Sequence, residues 1–397
     1  MSRISSWAAL LLSLLIALSP PSAEAQQAGE FVTRARNAIL VDYDSGSVLF
    51  QKAADELVEP ASMSKLMTLA VLFRALKDGK VKLEDEFKTS EHAWRTGGAP
   101  SGTSAMFIPI NNSTPISELI QGIVVQSGND ACLTVAEGLA GTAAKFATMM
   151  EEEARRIGLP KSTFRNPTGL HDPEQLMTAR ELATLARYII REYPEHYKVF
   201  AQKEFPYRKH KFYNRNPLLG EAGIDGMKTG HTKEAGYGMV VSALVPEGRR
   251  LIGVVMGLGD EKERKEDTRR MLDWGQRSIS KVKLFAAGEA VGSARVWGGE
   301  RIFVPLIGQG DVEVVLPKFP ANQRLRGEIV YQGPLKPPVR KGAQVATFRV
   351  TSMVAGSVEP LATSETPLYA ADDVEPASFA WKGVDALLHL ALRLVRL

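Results

Sequence analysis

The most informative segment for the fold of this 397-residue chain is Glu59-Pro60-Ala61-Ser62-Met63-Ser64-Lys65-Leu66-Met67-Thr68. Pro60 suits the first position of a helix, and apolar residues then recur at helical spacing through Leu76. Ser62 and Lys65 are three residues apart, so their side chains share one helix face. A serine hydroxyl needs a neighbouring base, and a lysine is one only if burial or another cation lowers its pKa. The segment predicts a nucleophilic serine at a helix start, where backbone N–H groups can stabilise an oxyanion.

Two further short motifs follow along the chain. Ser127-Gly128-Asn129 interrupts an apolar helical region, which predicts either a helix–helix turn or a hydroxyl and an amide that contact a substrate. Lys228-Thr229-Gly230 precedes a β-rich run, where Gly230 would let a ligand backbone approach closely and Lys228 would keep Lys65 neutral. The order Ser-x-x-Lys, Ser-x-Asn, Lys-Thr-Gly is close to the signature of class A β-lactamases and penicillin-binding proteins.

Around these motifs the chain resembles the low-molecular-mass D-alanyl-D-alanine carboxypeptidases. The similar stretches are residues 59–68, 126–132 and 225–232, and the resemblance extends over nearly all of the mature chain. It implies a serine-type peptidase that removes the terminal D-alanine from peptidoglycan stem peptides through an acyl-enzyme. It also implies that β-lactam antibiotics acylate and inhibit the protein.

The resemblance assigns catalytic roles to Ser62, Lys65, Ser127, Asn129 and Lys228. It implies that Ser62 is the nucleophile and Lys65 its general base. Ser127 and Lys228 would complete the proton path, and Asn129 would orient the substrate.

A second set of residues is assigned to substrate binding: Lys228, Thr229, Gly230, His231 and Arg264. The backbone N–H groups of Ser62 and His231 would form the oxyanion hole. Thr229 would contact the terminal carboxylate of the substrate, and Arg264 is expected to bind the same carboxylate.

The expected fold is an α/β sandwich of the serine β-lactamase and penicillin-binding type, an antiparallel sheet flanked by helices. A small all-β second domain follows, because short alternating runs punctuated by Gly and Pro begin after Lys283. The expected divisions are a signal peptide (1–25), a catalytic domain (29–282), a β-rich domain (283–360), a linker (361–376) and an amphipathic helix (377–397).

The N-terminus has the pattern of a secretory signal peptide. Arg3 precedes an apolar run from Trp7 to Leu18, and Ala23-Glu24-Ala25 is a small-x-small cleavage site. We therefore expect cleavage near Gln26 and export of the mature chain to the periplasm.

The C-terminal residues predict a strongly amphipathic helix. Its narrow polar stripe consists of Lys382, Asp385, His389, Arg393 and Arg396. These charges are too many for a membrane span but suit a helix lying in the membrane interface. We expect peripheral attachment to the outer face of the inner membrane, as the resemblance implies; the alternative is a helix docked on the protein's own core.

The composition limits other functions. Hydrophobic residues make up 44% and charged residues 24%, which are ordinary globular values, and the net charge of +4 is too small to indicate a nucleic-acid partner. The single cysteine, Cys132, excludes an intramolecular disulfide and is interpreted as a small buried side chain. None of the histidines has close zinc-ligand spacing, so we expect neither a metal nor a cofactor.

Three alternatives remain open from the sequence. A class A β-lactamase needs a deacylating glutamate, and Glu174 is the only nearby candidate, in surroundings unlike the lactamase motif. A non-enzymatic penicillin sensor would not need all of Ser62, Lys65, Ser127 and Lys228. An endopeptidase or transpeptidase on the same scaffold differs from a carboxypeptidase only in its substrates.

Overall fold

The computed structural model describes residues 31–378, apart from 278, 319–322, 355–359 and 361. The expected signal peptide lies outside the described residues, and so does nearly all of the expected amphipathic helix. Among the described helices, none combines the length and the apolar character that a membrane span requires.

Most helices belong to the first 277 residues. The α-helices are α1 (Lys65–Lys77), α2 (Glu91–Gly97), α3 (Ile116–Gln121), α4 (Asn129–Ala140), α5 (Ala143–Ile157), α6 (Ala179–Glu192), α7 (Pro194–Tyr197) and α8 (Glu261–Arg277). A π-helical turn spans Gly122–Gln126, and short 3-10 helices span Ala61–Ser64, Ala99–Ser101, Lys198–Ala201 and Pro246–Gly248.

Strands occur in both parts of the chain. The first part contains β1 (Asn37–Asp42), β2 (Val48–Lys52), β3 (Glu86–Lys88), β4 (Ser113–Pro115), β5 (Glu204–Tyr207), β6 (His210–Tyr213), β7 (Ile224–Thr232), β8 (Gly236–Leu244) and β9 (Arg250–Leu258). The second contains β10 (Ile279–Phe285), β11 (Ala290–Arg295), β12 (Phe303–Ile307), β13 (Val312–Pro317), β14 (Gln323–Val330), β15 (Gln344–Val354) and β16 (Ala362–Ala370).

An antiparallel sheet in the order β2-β1-β9-β8-β7 forms the centre of the first part. Successive side chains of a strand point to opposite faces, and β1 is buried on both. Ile39 and Val41 join the core formed with α1, α4, α5 and α6, whereas Ala38 and Leu40 join Met271 of α8 in a second core. The expected antiparallel sheet flanked by helices is confirmed.

The second part is all β and has its own core, as expected. Its limits differ from the expectation, because β10 begins at Ile279, before residue 283, and pairs with β13. The expected linker at 361–376 is wrong, since β16 lies within it and pairs with β15, β12 and β2. Ala362, Leu368 and Ala370 are fully buried there, so apolar side chains anchor a strand whose other residues are mostly polar.

Two short segments of the first part form secondary structure that their sequence patterns do not indicate. The stretch from Glu91 to Ser104 is rich in Gly, Ser and Thr, which favours a loop, but it contains α2. The Ser90 side chain accepts a hydrogen bond from the Ala93 N–H and caps this helix. Lys228-Thr229-Gly230 precedes the β-rich run that forms β8, as expected, and itself lies inside β7.

Candidate active site

The segment that carries Ser62 is a strained turn. Ser62 lies in the 3-10 helix immediately before α1, and the preceding Ala61 has φ of 48°, which is unfavourable for a residue with a Cβ. Such strain persists where surrounding contacts hold it. The loop at Gly169 packs so closely that a Cβ there would lie 2.1 Å from the Ala61 carbonyl oxygen. This packing fixes the position of the turn and of the Ser62 hydroxyl.

Lys65 is placed to accept the Ser62 proton. Its Nζ lies 2.8 Å from Ser62 Oγ and donates to the backbone oxygen of Thr168. Burial lowers the pKa of Lys65 to about 8, and the charge of Arg215 also lowers it. A lysine with this pKa is partly neutral near neutral pH, and only the neutral amine can act as a base.

Lys228 is the second buried lysine of the site. Burial lowers its pKa well below the ordinary value, and the charges of Lys65, Arg215 and Arg264 lower it further. Its Nζ donates to the backbone oxygen of Thr229 at 3.0 Å. The positive charges of the two buried lysines disfavour each other, and the charge of Arg215 lowers the pKa of both.

Ser127 and Asn129 present polar atoms to the site. Ser127 ends the π-helical turn with φ of 63°, and its buried Oγ has no hydrogen-bond partner among the described residues. Asn129 Nδ2 donates to Thr103 Oγ1 at 2.9 Å, whereas its buried Oδ1 lacks a partner within the same part of the chain. Buried polar atoms without partners are rare, so both are available to a ligand.

Strand β7 is the last strand on its side of the described sheet and packs against the Ser62 turn. A Cβ on Gly230 would lie 3.0 Å from the Pro60 oxygen and 3.2 Å from the Ala61 Cβ. Gly230 therefore lets the strand lie close to this turn, and it also borders the groove that begins at Ser62. The next residue, His231, stacks on Tyr237 with ring centroids 3.9 Å apart.

Two connected grooves meet at Ser62. The first, of about 600 Å³, is bordered by Thr229 and by cationic side chains. These are Arg215, Lys262, Arg264 and Lys265. The second, of about 510 Å³, is bordered by Asn129 and by the loops at residues 102–107 and 169–170. The positive charges of the first groove suit a carboxylate. The residues that the sequence predicts at the site all line one of the grooves, except Lys65 and Lys228, which lie buried beside them.

Arg215 is a site residue that sequence reasoning missed. It lines both grooves and belongs to no short motif. Its flanking asparagines hold the segment in place: Asn214 Nδ2 donates to the Gln202 oxygen at 2.9 Å, and Asn216 Nδ2 donates to the Gly226 oxygen at 3.0 Å. The Asn-Arg-Asn sequence before β7 is the only local sign, and it does not indicate where the guanidinium group lies.

The described surroundings of the site offer neither the deacylating glutamate of a class A β-lactamase nor a reactive cysteine. Glu174 is largely exposed, pairs with Arg165, and lines neither groove. Glu261 is the only carboxylate among the described lining residues, and it pairs with Arg264. Burial raises the pKa of Cys132 to about 11, so this thiol stays protonated and is not a nucleophile.

The catalytic part of the chain matches a known family. A family model described as D-alanyl-D-alanine carboxypeptidase matches residues 22–259, which is more than half of the chain. The chain belongs to this family. A second model, the C-terminal domain of penicillin-binding protein 5, matches residues 280–376, which include β11 to β16 and all of β10 except its first residue.

Individual members of the carboxypeptidase family support the same assignment. The chain is 36% identical to D-alanyl-D-alanine carboxypeptidase DacA of Haemophilus influenzae over 83% of this chain and 85% of the relative. It is 35% identical to DacC of Escherichia coli over 92% of this chain and 91% of the relative. Penicillin-binding protein 5 of H. influenzae has a similar structure, with a TM-score of 0.70, 34% identity, and coverage of 87% of this chain and 98% of that one.

Proposed function

We propose that the chain is a serine-type carboxypeptidase that cleaves the D-Ala–D-Ala bond of peptidoglycan stem peptides. The observation that carries this proposal is the 2.8 Å separation between Ser62 Oγ and the Nζ of Lys65, whose pKa is about 8. Few buried lysines are within reach of a serine hydroxyl and also able to lose a proton near neutral pH. The resemblance of residues 59–68 to the D-alanyl-D-alanine carboxypeptidases implies the same roles for this pair.

The reaction divides into two steps. In the first, neutral Lys65 accepts the Ser62 proton while Oγ bonds to the carbonyl carbon between the two D-alanines. The C–N bond then breaks, and the leaving amine receives a proton through Ser127 and the buried lysines. D-Alanine departs and leaves an ester on Ser62. In the second step water adds to the ester carbonyl carbon while neutral Lys65 accepts one proton from that water. The C–O bond to Ser62 then breaks, and this proton passes to Ser62 Oγ.

The cationic groove would bind the C-terminal carboxylate of the substrate. Arg215 and Arg264 carry fixed positive charges there, and Thr229 offers a hydroxyl. The backbone N–H groups of Ser62 and His231 would stabilise the oxyanion. A β-lactam presents a similar carboxylate and a strained amide, so it would acylate Ser62. The absence of a deacylating glutamate from the described groove residues favours a slowly hydrolysed adduct over β-lactamase turnover.

The test is release of D-alanine from an acylated peptide that ends in D-Ala–D-Ala. The wild-type protein is expected to release one D-alanine per peptide, and Ser62→Ala none above background. The matched control is Ser64→Ala, because the Ser64 hydroxyl is buried two residues away and bonds to the Ala61 oxygen at 3.0 Å. Full activity of Ser62→Ala, or loss of activity in Ser64→Ala alone, would contradict the proposal.

We also infer an exported, peripherally membrane-attached enzyme. Support comes from the signal-peptide pattern of residues 1–25, the amphipathic pattern of residues 377–397, and a substrate that lies in the periplasm. N-terminal sequencing of the mature protein is expected to begin near Gln26. A protein that retains Met1 and stays in the cytoplasmic fraction would contradict export.

A further inference from the structure

The connection between β11 and β12 exposes two aromatic side chains. Trp297 is 39% exposed and Phe303 is 53% exposed. Within the described residues of the all-β part, they are the only aromatic members of the large exposed hydrophobic side chains. A single exposed apolar side chain is ordinary, but two rings on one short connection form a surface that suits an apolar partner. We call residues 297–303 the aromatic tip.

The aromatic tip is bonded to the last described residues of the chain. The Ala377 N–H donates to the Gly298 oxygen at 3.0 Å, and the Glu300 N–H donates to the Glu375 oxygen at 2.9 Å. Residues 379–397, whose sequence has the pattern of an amphipathic helix, therefore follow directly from a segment that is fixed beside the two rings.

The aromatic tip also lies away from the catalytic part. β16 pairs with β2 of the catalytic sheet at Thr363, near its beginning, and with Leu306 of β12 at Ala370, its last residue. At about 3.3 Å per residue these two pairs are more than about 20 Å apart along the strand. Because β12 runs antiparallel to β16, Phe303 lies beyond Ala370. A surface that contacts the tip therefore meets the all-β part at its end away from β2.

The charged side chains near the tip largely pair with one another. Arg301 Nη1 lies 3.1 Å from Asp372 Oδ2, and Arg340 pairs with Glu375. The Asp373 carboxylate accepts a backbone N–H at 2.9 Å. The fields of opposite charges this close largely cancel at a distance. The affinity of the tip for a partner would therefore come from its two rings rather than from net charge.

We propose that the aromatic tip is a second membrane contact, in which Trp297 and Phe303 enter the lipid–water interface beside the start of the C-terminal helix. This proposal rests on the inferred membrane attachment and names a contact that the attachment does not require. Tryptophan suits this interface, because its ring is apolar and its N–H can keep a hydrogen bond. Two rings alone bind weakly, but once the helix is bound the linked tip meets the lipid at a high effective concentration.

The first experiment measures binding of the full-length protein to vesicles of mixed phosphatidylcholine and phosphatidylglycerol by co-sedimentation. In the double variant Trp297→Ser, Phe303→Ser the partition coefficient should fall by about tenfold or more, since transfer of two aromatic rings out of water has an effect of this size. Phe303→Ser alone should lower it by about threefold or more, and it keeps the test valid if Trp297→Ser unfolds the all-β part.

The matched control is Leu325→Ser, because Leu325 is 52% exposed, about as much as Phe303. Leu325 pairs with Ser352, which pairs with Ala362 at the beginning of β16, so it lies at the opposite end of the all-β part. Its partition coefficient should stay within about twofold of the wild-type value, as expected for a side chain outside the interface.

A second measurement reports what covers the tip. An environment-sensitive thiol dye is attached to Phe303→Cys and, as control, to Leu325→Cys; the native Cys132 is buried and should not react. Vesicles should shift the emission of the dye to shorter wavelength at position 303 and leave it unchanged at position 325, because only the tip enters the lipid.

Three results would overturn the proposal. The first is a double variant that binds vesicles like the wild type. The second is a dye at position 303 that does not respond although the protein is bound. The third is a dye whose emission is already at short wavelength without vesicles and moves to longer wavelength when residues 379–397 are removed, which would show that the tail covers the tip. A wild-type protein that stays in the supernatant would refute the membrane attachment itself, and the second contact with it.

Discussion

At the scale of single residues, the chemistry depends on keeping cations close together in a buried site. Lys65 and Lys228 are fully buried, and Arg215 lies near both. Burial disfavours the charged form of each lysine, and each neighbouring positive charge adds to that effect. The short motifs were sufficient to predict both lysines, because the residue types and the spacing within each motif indicate the chemistry. They could not predict Arg215, whose position depends on how a segment without a motif folds over the groove.

The first prediction at this scale concerns pH. Lys65 must be neutral to act as base, and its pKa is about 8. Below that pH the protonated fraction rises, so kcat/KM should increase with pH up to about 8 and level off above it. Lys65→Arg should lower kcat/KM by at least about 10²-fold, because arginine does not release its proton. A pH profile that is flat below pH 8, or an active Lys65→Arg variant, would show that another group is the base.

The second prediction concerns Arg215. Arg215→Gln removes a positive charge that lowers the pKa of Lys65, so the rising limb of the kcat/KM profile should move to higher pH. It should also lower kcat/KM roughly tenfold or more, through loss of a charge-assisted bond to the substrate carboxylate. The matched control is Arg208→Gln on the β5–β6 hairpin, whose guanidinium bonds to Asn112 outside the grooves. An unchanged midpoint in Arg215→Gln would contradict this electrostatic role.

At the scale of elements, close packing between helices, strands and turns sets the positions of the reactive groups. The Ser62 turn lies between β7 and the loop at Gly169, and α2 supports the beginning of α4. Helix α2 is difficult to predict because the Gly, Ser and Thr residues from Glu91 to Ser104 favour a loop, although Ser90 is a capping residue. The long periodic segment α1 was predicted well, since its apolar residues recur at helical spacing through Leu76.

A prediction at this scale uses Gly97 of α2. A Cβ there would lie 2.6 Å from the Asp130 nitrogen and 2.7 Å from the Asn129 carbonyl carbon. Gly97→Ala should therefore push α2 away from α4 and lower the free energy of unfolding by about 1–3 kcal/mol. It should also reduce kcat/KM, because the shift displaces Asn129. Gly310→Ala is the control, because nothing lies within 4 Å of its added Cβ. Urea unfolding and D-alanine release measure both effects; equal stability of the two variants would contradict the packing argument.

At the scale of the whole molecule, the sheet of the catalytic part continues into the all-β part. β16 pairs with β2 at Thr363 and Val48, and Ser47 Oγ donates to Ser364 Oγ at 2.8 Å. Strand β16 was expected to be part of a linker, because most of its side chains are polar. The error has a physical cause: a strand that is half exposed and short of large apolar residues has a weak periodic signal.

The prediction for the whole molecule concerns the C-terminal helix. Removing residues 379–397 should abolish binding to vesicles of anionic lipid while D-alanine release from small peptides remains unchanged. The truncation leaves Ala377, whose N–H donates to the Gly298 oxygen at 3.0 Å, in place. Vesicle co-sedimentation of the full-length and truncated proteins is the measurement. A full-length protein that stays in the supernatant would contradict membrane attachment.

The central claim is that Ser62 becomes acylated because Lys65 takes its proton. Mass spectrometry of the intact protein with benzylpenicillin, followed by peptide mapping, tests it most directly. We expect one covalent adduct, located on Ser62, that is absent from Ser62→Ala and forms very slowly in Lys65→Arg. An adduct on any other residue, or labelling of Ser62→Ala at the wild-type rate, would contradict it.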